Sequence, residues 1–166
     1  MTAAIFGLLG VIVGAVVNGA VSYVLGRQRE RAEGRAAARL VGFELRDHAS
    51  TLRAVLDRRS WEALGPRPPD TSEWDAHRAV LARVFDDDEW STIAQAYSSI
   101  IDYAHVYRSD AKRTALSDDV EPRVREVEEL AVEGVFTLGA HARGVTVAAL
   151  KREYPQESPE LLRPPS

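Results

Sequence analysis

The chain has 166 residues and a mass of 18.3 kDa, is 45% hydrophobic and 28% charged, and carries a net charge of −4. That is room for one domain plus an appendage. None of the 21 basic and 25 acidic side chains falls in the first 26 residues, a split that argues against a plain soluble globule. The rest keeps the whole acidic excess, so nucleic acid is not expected as a partner. With no cysteine, disulfide frameworks, thiol catalysis, cysteine-based zinc sites and iron–sulfur clusters are excluded.

Ala3 to Leu25 has only Asn18, Ser22 and Tyr23 as polar members. At ~1.5 Å per residue such a helix spans roughly 35 Å, against about 30 Å of bilayer hydrocarbon. It shows no polar face, which a core helix of that length would have. A cleaved signal peptide is the rival reading, with Ala20-Val21-Ser22 as its cleavage site. The missing basic n-region and the length of the run favour an uncleaved anchor over residues 1–26, in contact with the lipid bilayer.

Arg27, Arg29, Arg31, Arg35 and Arg39 follow the span, so the positive-inside rule puts the N-terminus outside and the rest in the cytoplasm of a plasma-membrane protein. Gly7, Gly10, Gly14 and Asn18 share one helix face by their 3- and 4-residue steps. Close backbone approach there would support a homo-oligomer through the membrane helix.

Residues 27–154 read as a cytoplasmic stalk and bundle. One long helix runs to about Leu64, with Gly34 as a weak point and an apolar stripe of Val41, Leu45, His48, Leu52 and Val55. Gly65-Pro66-Arg67-Pro68-Pro69 stops it. Asp70, Thr71 and Ser72 offer N-caps, with Ser72 to Asp75 as a capping box, for a second helix reaching about Phe85 and presenting Trp74, His77, Leu81 and Val84.

A third helix from about Asp88 repeats Trp90, Ile93, Tyr97, Ile100, Ala104 and Tyr107. Ser117, Asp118 and Asp119 are expected to cap a fourth, with Pro122 in its first turn and Val120, Val124, Val127, Ala131 and Leu138 inward. Gly144 caps or kinks it before a segment from Val145 to Tyr154. Residues 155–166 hold four of the eight prolines and read as a flexible tail. The fold expected is all-α, a transmembrane helix continuing into an antiparallel bundle of about four helices.

The histidines are the only feature that suggests a chemical site. His48, His77, His105 and His141 fall one per helix, and Asp102 precedes His105 by three. Imidazole and carboxylate inside a bundle suit iron or zinc, so these five residues are an alternative metal site. The paired Glu-x-x-His motifs of di-iron bundles are missing, and core histidines with hydrogen-bond partners are commoner. The primary expectation is therefore no metal and no cofactor.

Asp86-Asp87-Asp88-Glu89 lacks the alternating ligands and the glycine of a calcium loop, and reads as helix capping. No nucleophile elbow, Walker motif, dinucleotide fingerprint or His-Glu-x-x-His occurs, so an enzyme is not expected. What remains is an anchored helical interaction or scaffold protein with an unknown protein partner. An accessory subunit of a larger membrane complex is a further alternative.

The stretch GLLGVIVGAVVNGAVSYVL followed by RQRERAEGRAAARL resembles small single-span membrane proteins of high-GC actinobacteria. Nineteen arginines against two lysines fit that resemblance, which implies an anchor and no particular activity. The same stretch also looks like the membrane stalk subunit of rotary ATP synthases. That family continues as one uninterrupted helix, whereas GPRPP at 65–69 and three later caps break this chain.

Overall fold

The computed structural model describes residues 2–64, 69–110 and 115–154, with side chains over 14–64, 69–104 and 115–154. Helix α1 spans Thr2–Arg58, α2 Ser72–Val84, α3 Asp87–Asp110, α4 Glu121–Arg143 and α5 Val147–Glu153, and no strand occurs among the described residues. The chain is all-α. Among the described residues no helix is long and apolar enough to cross a membrane. The expected span begins at Ala3, so its first eleven side chains, together with most of the GPRPP break and the 155–166 tail, lie outside the described residues.

Helix α1 stops at Arg58, six residues short of the expected Leu64. Arg59 turns to φ 47°, and a 3-10 turn carries Trp61 to Leu64. The break is tertiary in origin. Trp61 is buried and its ring lies 5.7 Å from that of Tyr103. The carbonyl of Arg59 accepts the Leu116 N–H at 2.9 Å, tying the turn to the approach of α4. Local propensity favours continuing the helix, but burial of a large aromatic side chain contributes more.

Two expected caps are made differently. Of the three candidates Thr71 is the N-cap of α2, so the Ser72–Asp75 box is not the start, and Thr71 forms no side-chain cap bond. Glu44 on α1 accepts the Glu73 and Trp74 N–H groups instead, at 2.8 and 3.1 Å. At α4 the N-cap is Val120, again with no side-chain cap bond. The Ser117 carbonyl takes the N–H groups of Val120 and Glu121, and Asp118 turns away to pair with Arg59. Asp86 caps α3 as its sequence suggests, accepting the Glu89 N–H at 2.9 Å. Gly144 ends α4 at φ 69°, the left-handed conformation in which a side chain is strained, so it caps and does not kink.

Pairings along the helices give the topology. Gly34 of α1 lies against Val84, near the end of α2, while Glu44 meets the start of α2, so these two helices run antiparallel. Leu45 lies against Gly134, Arg53 pairs with Glu128 and Arg59 with Glu121, so α4 is antiparallel to α1 as well. Tyr97 of α3 reaches Val41 and Glu44, and α3 packs along α4. The result is an up-down-up-down bundle with α5 laid on the side, its Leu150 packed on Phe136 and Ala140.

The α1 stripe Val41, Leu45, His48, Leu52 and Val55 is buried throughout. Trp74 stacks between Tyr97 at 4.5 Å and Trp90 at 5.2 Å, joining α2 to α3. Helix α4 buries more than one face. Val135, Phe136, Thr137, Leu138 and Ala140 are all covered, because α1, α3 and α5 approach it from different sides. Gly34 is a point of close approach as well as a weak helix former: a Cβ there would stand 3.0 Å from the Val84 Cγ1.

Candidate functional site

The most distinctive feature lies outside the bundle. Residues 14–33 of α1 are exposed on every side, and among the described residues Gly34 is the first buried position. This stretch is a rod of roughly 30 Å that no described part of the chain covers. Val16 is 65% exposed, Tyr23 62% and Leu25 59%. Burying a side chain of this size is worth ~1.5–3 kcal/mol, so an uncovered run of them is unfavourable in water.

The rod changes character at one place. No charge precedes Gly26, and Arg27, Arg29 and Arg31 follow. Arg27 places its guanidinium 5.3 Å from the centroid of the Tyr23 ring one turn back, and Arg29 pairs with Glu33 at 2.9 Å. Gly14 has nothing within 4 Å of where its Cβ would be, and Asn18 is exposed, so this part of the expected helix–helix face is open. The side-chain surroundings of Gly7 and Gly10 lie outside the described residues.

The histidines do not converge. Among the described residues no three His, Asp or Glu side chains come together in a way that would hold a metal ion. His48 is buried at the α1–α2 joint, its Nε2 2.7 Å from the Asp70 carbonyl. His77 faces Glu73 on its own helix at 3.4 Å. The His141 ring lies 4.3 Å from that of Phe85, where burial lowers its pKa, partly opposed by Glu89 and reinforced by Arg35. Asp102 is exposed, beside a groove between α3 and α4. The side chain of His105 lies outside the described residues. The three described histidines have separate neighbours: His48 meets Asp70, His77 meets Glu73 and His141 meets Phe85.

A cavity of about 540 Å³ sits at the α1–α2 joint, with Glu44, His48, Asp70 and Tyr103 in its wall. Its polar groups have structural work. Glu44 holds the first turn of α2, and the Tyr97 hydroxyl donates to the same carboxylate at 2.9 Å. Desolvation, reinforced by the Glu44 charge, pushes the Tyr97 phenol well above its usual range, so it stays a donor at any ordinary pH. The spacing puts Tyr97 on the inward face of α3, but nothing local pairs it with Glu44 on α1. Glu44 lies one position before Leu45 on the stripe, and the N–H groups it serves are about 30 residues away.

Compared with family models, curated proteins and solved structures, the chain finds no match in any of the three.

Proposed function

We propose that the chain is a membrane-anchored helical interaction module. In this reading the apolar start of α1 lies in the bilayer, the arginine side faces the cytoplasm, and the bundle presents a non-catalytic binding surface. The observation that carries it is the rod over residues 14–33, uncovered on all sides and uncharged up to Gly26. Lipid around it would remove that surface from water, and the arginines would sit at the headgroup level. Gly14 and Asn18 are open, and the spacing of the sequence puts Gly7 and Gly10 on the same helix face, which supports a second copy as helix partner.

The test is topological. The chain has no cysteine, so single cysteines report position without background. In a bacterial host, full-length protein should resist alkaline extraction from membranes. A membrane-impermeant maleimide should label Thr2→Cys in intact cells and Ser91→Cys only after permeabilisation. Protein released at alkaline pH, or Ser91→Cys labelled in intact cells, would overturn the reading. For the dimer, Gly10→Ile and Gly14→Ile should abolish association in a membrane two-hybrid assay.

A further inference from the structure

On one side of the bundle α1, α4 and α5 leave a groove of about 580 Å³. Arg35, Arg39 and Arg46 line it from α1 and Arg143 from the end of α4, and among the described residues no carboxylate lines it. The α1 positions 35, 39, 42 and 46 advance in 4-3-4 steps, so they form one face. Gly42 stands between two of the arginines, and with Gly139 on α4 it keeps that face low. The floor is apolar, made by the buried Val135, Ala142 and Leu150.

Membrane sorting accounts for only part of this set. Basic residues count toward orientation within about 15–20 residues of a span. Arg46 is at the limit of that window, and Arg143 arrives from another helix. Both are oriented by neighbours: the Arg46 guanidinium lies 5.2 Å from the centroid of the Phe43 ring, and that of Arg143 5.1 Å from Tyr154. The Glu153 carboxylate is 3.8 Å from Arg143, an exposed pair too long for a hydrogen bond. Desolvation, with the charge of Arg143 added, lowers the pKa of Arg46. Planar guanidinium groups bind phosphate oxygens in pairs, and the two arginines line one groove.

We infer that this groove binds a small phosphate-bearing organic anion, its phosphate held by Arg46 and Arg143 with Arg35 and Arg39 beside them, and its apolar part on the floor. The groove stands on its own geometry; the choice of a free phosphate over a lipid headgroup rests on the proposed anchor. Arg46 lies 20 residues beyond Gly26. That is roughly 30 Å along the helix, whereas the headgroup layer adds only about 5–8 Å per leaflet. The volume lies within the usual range for small-ligand sites, about 300–1,000 Å³.

Phenyl phosphate and inorganic phosphate are the probes, titrated calorimetrically into the full chain in a non-ionic detergent. Phenyl phosphate should bind more tightly than inorganic phosphate, and its affinity should fall with salt. The double variant Arg46→Gln/Arg143→Gln should weaken it by about tenfold or more, as expected for loss of a charge-assisted contact. Arg35→Gln/Arg39→Gln changes only exposed side chains and should also weaken it, so the result does not depend on the first variant folding. Arg27→Gln/Arg29→Gln, outside the groove, should leave it unchanged. No binding, equal affinity of the two probes, or equal loss in all three variants would overturn the assignment. Binding confined to vesicles containing acidic phospholipid would overturn the free-phosphate assignment. Failure of the alkaline-extraction test with phenyl phosphate binding intact would overturn the anchor alone.

Discussion

The Tyr97 hydroxyl on α3 donates to Glu44 on α1 at 2.9 Å, and the oxygen that receives it also accepts the Trp74 N–H of α2 at 3.1 Å. One carboxylate therefore joins three helices. The same charge at the first turn of α2 supplies what Thr71 does not, an acceptor for its unpaired N–H groups. Glu44→Ala removes three hydrogen bonds at a partly buried joint and should destabilise the fold by ~3 kcal/mol. Tyr97→Phe should cost ~1–2 kcal/mol alone and clearly less in the Glu44→Ala background. Denaturant melts of the four proteins measure that coupling, and additive losses would mean the two residues act separately.

Among the described glycines, Gly134 stands closest to a side chain of another helix. A Cβ there would lie 2.6 Å from the Leu45 Cδ2 and 3.4 Å from the Ala96 Cβ. Leu45 and Ala96 are fully buried, so neither can move into solvent. Gly134→Val should destabilise by ~2 kcal/mol despite removing a poor helix former. Gly144→Ala tests a different cost, the left-handed cap, and should lose ~1 kcal/mol with no change in packing. Thermal melts separate the two by magnitude.

His141 makes stability sensitive to acid. Its folded pKa is lowered by burial, from an ordinary value of 6.5. Between those two values the unfolded chain binds the proton more readily. The stability it contributes is therefore present above pH 6.5 and lost as pH falls through the folded value. His141→Gln should flatten that limb. Urea midpoints from pH 7.5 to 5 measure it, and an unchanged slope would rule the residue out.

Glu128 behaves in the opposite sense. It is buried beside the half-exposed Arg53 at 3.3 Å, and desolvation raises its pKa above 4.5, with Arg53 opposing. Its contribution is full below pH 4.5 and is lost as pH rises through the folded value. Glu128→Gln should be at least as stable as the parent at pH 7, with the advantage gone near pH 4. A loss at pH 7 would show that the Arg53 pair outweighs desolvation.

Several features were legible because they depend on near neighbours in the chain. The stripe from Val41 to Val55 is buried as its spacing implies, and the cap at Asp86 needs only a carboxylate three residues before an N–H. The stop at Arg58 was not legible, since it depends on Trp61 meeting Tyr103, some forty residues on. The extra buried faces of α4 were hidden for the same reason: a stripe reports one neighbour, and this helix has three.

For this protein the sequence by itself determined the helical class, most inward faces and the sharp boundary at Arg27. These follow from periodicity and charge, properties of adjacent residues. Only the tertiary structure decided that Glu44 caps another helix, that His48, His77 and His141 stand apart, and that Arg46 and Arg143 share a groove. Relative height and rotation of packed helices are set by side-chain interlocking at contacts such as Gly134 with Leu45, which no local pattern encodes.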